Sequence, residues 1–327
     1  LVSFILVMLK MRSRLIGQEF LGKLNGPMTA HPRVCPETNE LLFFGYQMMK
    51  KPYLTYHRVN ADGELVQSEE IDIPRPVMMH DWNITRNYVI FMDLPLVFDI
   101  DQAISGSDPF GFRPECGARL GVMPRNGSNK DIKWIDINPC FVFHPMNAYE
   151  ENNKIILHVC RQNKAMVGGM DEIYGGEDTT GKLWKWTVNL DEETCEEEQV
   201  DDKACDFARI DDRLIGLKAK NGYAMAIDEN AKTLTFGQFL YKFNLEKNER
   251  IDHNLGHNVF GGEPVFVPKK PESNEDEGWI MAIVFDSNIN KSKLIIVDVE
   301  NFDKKPVCEV ILPQRVPFGA HGSWLSN

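Results

Sequence analysis

The sequence is 327 residues long, 43% hydrophobic and 26% charged, the composition of a globular chain long enough for one large domain or two small ones. Its formal net charge of −12 repels phosphate backbones and gains nothing from anionic head groups, which argues against nucleic acid as a partner and requires any membrane contact to be apolar. Seven cysteines, an odd number with no Cys-x-x-Cys pair, argue against a disulfide framework or a thiolate zinc site. They read as reduced thiols of the cytosol or a plastid stroma.

In chain order, the apolar run over residues 1–9 is too short to span a bilayer, and the absence of an initial Met suggests a truncated start. Strand signals then dominate. Runs rich in Val, Ile, Phe, Tyr and Thr, bounded by Gly, Pro, Asn and Asp, cover residues 40–46, 53–59, 87–93, 155–161, 182–190, 223–227, 235–245, 265–268, 279–286, 293–299 and 307–312. Asn60-Ala61-Asp62-Gly63 reads as a hairpin turn. No apolar period of 3.6 residues is sustained, so the fold class is all-β, as a sandwich, barrel or propeller. Residues 191–202 are almost wholly acidic and predict a solvated loop, and residues 271–278 predict an exposed turn. Neither resembles a linker, so one domain is expected over residues 1–327.

The eight histidines fall into two kinds. His57, His158, His253 and His257 sit in polar or alternating contexts that suit structural or surface roles. His31, His80, His144 and His321 each follow an apolar residue and precede a turn-favouring one. The second group is separated by 49, 64 and 177 residues. The last interval is three spans of about 59, which fits one inward-pointing residue per unit of a radially repeated fold. Four neutral imidazoles on such an axis would hold a divalent metal of the iron, copper, nickel or zinc group. Zinc would be closed by four ligands, whereas octahedral Fe(II) would keep two positions free. An all-histidine centre needs carboxylates behind the rings to fix their tautomers. Glu263, Asp206, Glu150 and Asp81 are the candidates.

Several ordered motifs surround these residues: Met28-Thr29-Ala30-His31-Pro32, Met78-Met79-His80-Asp81, Asp93-Leu94-Pro95-Leu96 and Phe143-His144-Pro145 with Asn147-Ala148-Tyr149-Glu150. Towards the end come Gly262-Glu263-Pro264-Val265-Phe266-Val267-Pro268, Glu275-Asp276-Glu277-Gly278 and Gly319-Ala320-His321-Gly322. Together they resemble the carotenoid cleavage oxygenase family, which includes lignostilbene dioxygenases and the retinoid isomerohydrolase. The resemblance implies a seven-bladed β-propeller with one axial Fe(II) bound by the four histidines, and Glu263 as a carboxylate behind one ligand. A second such carboxylate lies in a Glu-Phe-Pro-Arg-Ile context in the family. Here that stretch reads Asp206-Phe207-Ala208-Arg209-Ile210, and the shorter Asp predicts a longer or water-mediated bond to its imidazole. By position, Phe143 and Met78 are expected to line the substrate cavity. Seven repeats of about 59 residues need roughly 413, so five to six blades are expected, with the family's N-terminal portion lacking.

The function this resemblance implies is non-haem Fe(II) cleavage of a C=C bond in a carotenoid or apocarotenoid by O2, giving two carbonyl products. Rivals are stilbene cleavage, isomerohydrolase activity and an inactive propeller scaffold. The expected partners are a lipophilic small molecule and O2, with peripheral membrane contact through an apolar loop such as residues 94–98. The absence of a Gly-x-Gly-x-x-Gly cradle fits a reaction without nicotinamide or flavin.

Overall fold

The structure is a computed structural model that describes residues 20–165, 179–231, 235–318 and 321–325. Strands that are apolar on both faces need cover on both sides, and these strands obtain it by stacking sheet against sheet. The first sheet runs β1 (Arg33–Val34), β2 (Leu41–Tyr46), β3 (Leu54–Val59) and β4 (Leu65–Ile71). The second begins with β5 (Asn83–Ile84) and β6 (Tyr88–Asp93). An inserted hairpin of β7 (Leu96–Phe98), helix α1 (Ile100–Ser105) and β8 (Phe110–Phe112) follows, and β9 (Ala118–Pro124) and β10 (Lys133–Ile137) complete it. The third contains β11 (Phe141–Glu151), β12 (Lys154–Gln162), β13 (Lys182–Asn189) and β14 (Thr194–Gln199). The fourth contains β15 (Cys205–Arg209), β16 (Asn221–Ile227), β17 (Phe236–Asn244) and β18 (Glu249–Asn254). The fifth contains β19 (Val259–Phe260), β20 (Val265–Pro268), β21 (Gly278–Asp286), β22 (Lys291–Asp298) and β23 (Cys308–Ile311). All pairings are antiparallel, and the described residues build five blades of a β-propeller.

Four apolar layers fill the spaces between consecutive blades. Phe44, Tyr56, Trp82 and Phe91 join the first two, and Ile90, Leu120, Phe141 and Leu157 join the second and third. Leu183, Cys205, Ala224 and Phe243 join the third and fourth, and Tyr223, Met225, Ile280 and Val297 join the fourth and fifth. Because each middle strand is buried on both faces, β12 and β16 read as continuous apolar runs rather than alternating ones. Tight hairpins close the ladders. Asn152 and Asn153, with φ of 52° and 61°, turn β11 into β12, and Gly63 at φ 83° serves the predicted turn between β3 and β4.

Two expectations need correction. Within the acidic stretch 191–202, residues 194–199 form strand β14, paired with β13 from Trp184–Gln199 to Asn189–Thr194. The stretch is the outer edge of its blade, with most side chains exposed, so backbone pairing rather than apolar burial makes it a strand. The chain is also not free of helix. Asp99 caps α1 by accepting from the Asp101 and Gln102 amides, and Gly106 at φ 80° ends it. The apolar run 1–9 and residues 319–320 of the last motif lie outside the described residues.

Candidate metal centre

The segment nearest the axis in each blade carries a polar residue at nearly the same place. His31 precedes β1, His80 precedes β5, His144 lies in β11, and His321 follows β23. Asp206, in β15, comes 62 residues after His144, and Glu263, between β19 and β20, comes 58 residues before His321. The long gap in the histidine spacing is therefore filled by two carboxylates, one per intervening repeat.

The four imidazoles meet with their Nε2 atoms inward, and their candidate ligand atoms all lie within 4.8 Å of one another. The Nε2–Nε2 distances are 3.2 Å for His31–His80, 3.3 Å for His80–His144 and 3.2 Å for His144–His321. Nitrogens bound at about 2.1 Å to one metal would stand about 3.0–3.4 Å apart, depending on angle.

The outer nitrogens explain the orientation. His144 Nδ1 donates to Asp206 at 2.8 Å, and His321 Nδ1 donates to Glu263 at 3.0 Å. A carboxylate only accepts, so the proton of each ring sits on Nδ1 and the lone pair on Nε2. His144 and His321 thus aim two lone pairs at each other across 3.2 Å with no proton between them. That is unfavourable for bare imidazoles and correct for ligands of a shared cation, so the donor set fits a divalent metal.

Electrostatics point the same way. Burial first, then the neighbouring His80, holds the His31 ring far below the ordinary histidine range, so it is neutral. Burial and His144 lower His80 to about 3. Burial alone would also lower His144, but Asp206, with Asp81 and Glu263, outweighs it and raises the group. Burial would raise the Glu263 carboxyl, yet the His321 bond, Arg209 and the Gly322 amide bring it below its usual range. Asp81 lies 3.5 Å from His31 Nδ1, too far for a hydrogen bond, and binds Arg33 at 2.7 Å and the Trp82 amide at 2.7 Å. Trp82 in turn donates its indole N–H to the His31 carbonyl at 2.9 Å, fixing the backbone that carries the ligand. The Nδ1 of His80 has no carboxylate partner among the described residues.

Asp206 departs from expectation, since its bond to His144 is direct rather than long or water-bridged. The backbone supplies the reach that the shorter side chain lacks. The register of β15 against β16 shifts between Asp206 and Arg209, and Phe207 sits at φ 54°, a left-handed conformation that costs a bulky residue about 1–3 kcal/mol. The same twist lays the Phe207 ring 4.7 Å from His144 and 5.5 Å from His321.

Other predicted residues fall elsewhere. Glu150 supports no histidine. It accepts from Thr85 Oγ1 at 2.6 Å and from the Asn87 amide at 2.8 Å, tying β11 to the turn before β6. Phe143 stands edge-on to His80 at 5.3 Å, and both it and Met78 pack on the core between the second and third blades. Neither lines an apolar groove of about 250 Å³ walled by Phe236, Met281, Phe285, Phe318 and Trp324, with His321 and Glu263 at one side. Of the second group of histidines, His57, His158 and His253 are buried and His257 is exposed. Sequence reasoning passed over Arg33 and Arg209, which grip Asp81 and Glu263. Their positions two residues after His31 and three after Asp206 are the signal that was there to find.

A family model described as RPE65, retinal pigment epithelial membrane protein, matches residues 12–326. A carotenoid 9,10(9',10')-cleavage dioxygenase of Pisum sativum is 34% identical over 323 residues, which cover 93% of this chain and 59% of that protein. A carotenoid cleavage oxygenase of Mycobacterium tuberculosis is 30% identical, covering 94% of this chain and 70% of its own. The chain thus spans about three fifths of the length of the plant relatives it matches. Among solved structures, the lignostilbene dioxygenase of Pseudomonas brassicacearum superposes with a TM-score of 0.86 at 25% identity, over 95% of this chain and 68% of that one. The cobalt-substituted Synechocystis ACO superposes with a TM-score of 0.84 at 25% identity, over 95% and 67%.

Proposed function

This chain belongs to the RPE65/carotenoid oxygenase family, and from that premise we propose that the whole protein is a non-haem Fe(II) dioxygenase that cleaves a C=C bond of a carotenoid or apocarotenoid. One O2 and one C=C bond give two carbonyl groups, so atoms and electrons balance without an external reductant. The observation that carries this reading is the convergence of four Nε2 atoms, two of whose rings, His144 and His321, are held from behind by carboxylates. His31, His80, His144 and His321 would hold the metal, and Fe(II) there would supply the redox chemistry that dioxygen requires and side chains lack.

The chain's own residues do the rest. Asp206 and Glu263 keep the Nδ1 protons in place, so the Nε2 lone pairs stay turned inward. Phe143 and Phe207 cover His80 and His144 with aromatic surface and limit water there. The apolar groove beside His321 suits a long conjugated hydrocarbon better than a charged substrate. We place these functions in one domain formed by the whole chain. The seven cysteines are all free, which suits the cytosol or a plastid stroma.

Among the described residues, no helix is long and apolar enough to cross a membrane. Peripheral contact would come from α1, where Ile100 and Ile104 are exposed on one face. Leu94 and Leu96 of the loop expected in that role are buried between blades.

The test uses the intact protein loaded with Fe(II), in 18O2, against a panel of carotenoids, apocarotenals and hydroxystilbenes. The expected result is one labelled oxygen in each of two carbonyl products from a carotenoid substrate. Turnover without label would favour isomerohydrolase chemistry, and cleavage of the stilbenes alone would move the substrate class. Protein that holds no iron with its histidines intact would leave only the scaffold. His144→Ala should abolish both iron and turnover.

A further inference from the structure

Among the four ligands, His321 alone is exposed. It lies beyond the last strand, its side chain is 29% exposed, and it belongs to no sheet. Its neighbours are nonetheless tied down. Glu263 accepts from His321 Nδ1 at 3.0 Å with one oxygen and from the Gly322 amide at 2.6 Å with the other. The carboxylate is held in turn by Arg209 at 3.1 Å, and the same guanidinium donates to the Gly322 carbonyl at 2.9 Å. Its other nitrogen is fixed by both oxygens of Asp212, at 3.1 and 3.0 Å. Arg209 therefore touches both the group that orients the ring and the main chain on which the ring is mounted.

We propose that Arg209 is a positioning residue for His321, which latches the C-terminal ligand into the centre through Glu263 and Gly322. Arg209 also shares bulged strand β15 with Asp206, the partner of His144. One short segment thereby sets the orientation of two ligands from two different blades. Lysine cannot replace it fully, because a single ammonium lacks the planar fork that reaches carboxylate, carbonyl and Asp212 together. The inference rests on the four histidines being the metal ligands.

The experiment measures metal retention rather than turnover. The intact protein and its Arg209→Met, Arg209→Lys, Glu263→Gln and Asp212→Asn variants would be loaded with Co(II), and their affinities measured by chelator competition. The ligand-field absorption of each would be recorded alongside. Removing an outer partner of a ligand costs about 10–100-fold in metal affinity, and that loss is expected for Arg209→Met. Its spectrum should change in the same way as that of Glu263→Gln, and the double variant should lose little more than either single one. Arg209→Lys should recover part of the affinity. Asp212→Asn, at an exposed site that leaves the core intact, should give a smaller loss in the same direction. A lower melting temperature in Arg209→Met, with affinity and spectrum unchanged and Asp212→Asn silent, would overturn the proposal and leave a structural ion pair. If the unaltered protein binds no Co(II), or His144→Ala keeps it, the metal reading itself falls.

Discussion

Lengthening the carboxylate at position 206 to Glu should harm this protein rather than improve it. In Asp206→Glu the added methylene must fit where the present carboxylate already meets His144 Nδ1 at 2.8 Å and the Phe207 amide at 2.8 Å. Asp206 is 5% exposed, so the longer chain cannot swing into solvent. It must adopt a poor rotamer or push the imidazole outward, and overpacking of this kind costs about 1–3 kcal/mol. With an unfolding entropy of about 2.1 cal/mol/K per residue, that lowers the melting temperature of a chain this size by about 1–4 °C. A displaced His144 would also release metal more readily. Asp206→Asn is the matching control. It keeps the volume but loses the charge that fixes the tautomer, so it should cost about 10–100-fold in metal affinity with little change in the melting of metal-free protein. Calorimetry with and without metal, together with chelator competition, reads both quantities. An Asp206→Glu protein that melts at least as high and holds its metal more tightly would refute the claim that the bulge of β15 brings the shorter side chain into direct contact.

Chelation should lower the melting temperature of the loaded protein by the equivalent of about 2.7 kcal/mol when free metal stands at 100 times its dissociation constant, and should not affect His144→Ala. Burial lowers both His57 and His158 to about 4, so below the unfolded value near 6.5 the unfolded chain takes up protons that the folded chain refuses. Stability contributed by these neutral rings is present above pH 6.5 and is lost as the pH falls to about 4; denaturant titrations of His57→Gln and His158→Gln should show a flatter acid limb. Trp82→Phe removes the indole donor to the buried His31 carbonyl, and should cost about 1–3 kcal/mol by urea unfolding beyond the loss of ring volume. In Gly262→Ala the new Cβ would stand 2.2 Å from the Ile283 carbonyl oxygen, so backbone must move; the variant should melt lower and, because Glu263 is adjacent, bind metal less well in the same chelator assay.

How much of this is legible in the sequence depends on what a residue has to do. Middle strands such as β12 and β16, buried on both faces, announce themselves as apolar runs whose bounds agree with the structure within a few residues. Outer strands are mostly held by backbone bonds that leave little compositional trace, although exposed β23 falls within the predicted run 307–312 and the middle strand β9 escapes prediction. Hence β4, β14 and β18, with their Glu, Gln and Asp, escape notice. The histidine spacing carries the repeat length, and its third interval already divides into three spans; the structure adds that Asp206 and Glu263 stand at the two intermediate positions and bond to His144 and His321. Glu150 misleads because an acidic residue beside an apolar strand looks alike whether it faces an imidazole or, as here, caps a neighbouring turn. Arg33 and Arg209 are easily passed over for a related reason, although their nearness to His31 and Asp206 in the sequence is a signal. A charged residue on a short inner strand reads as solvated until the carboxylate opposite it is known.

The acidic outer strands have a consequence for how molecules of this protein meet in solution. The outer strands of the blades offer unpaired amide and carbonyl groups, the surface on which two sheets could zip together. Glu70 on β4, Glu196 and Glu198 on β14, and Glu249 and Asp252 on β18 place exposed negative charge along three of those strands. At neutral pH, matching strands repel before they can dock. Near the isoelectric point of about 5.2 that repulsion fades, and reversible lateral clumping of otherwise native protein should begin there.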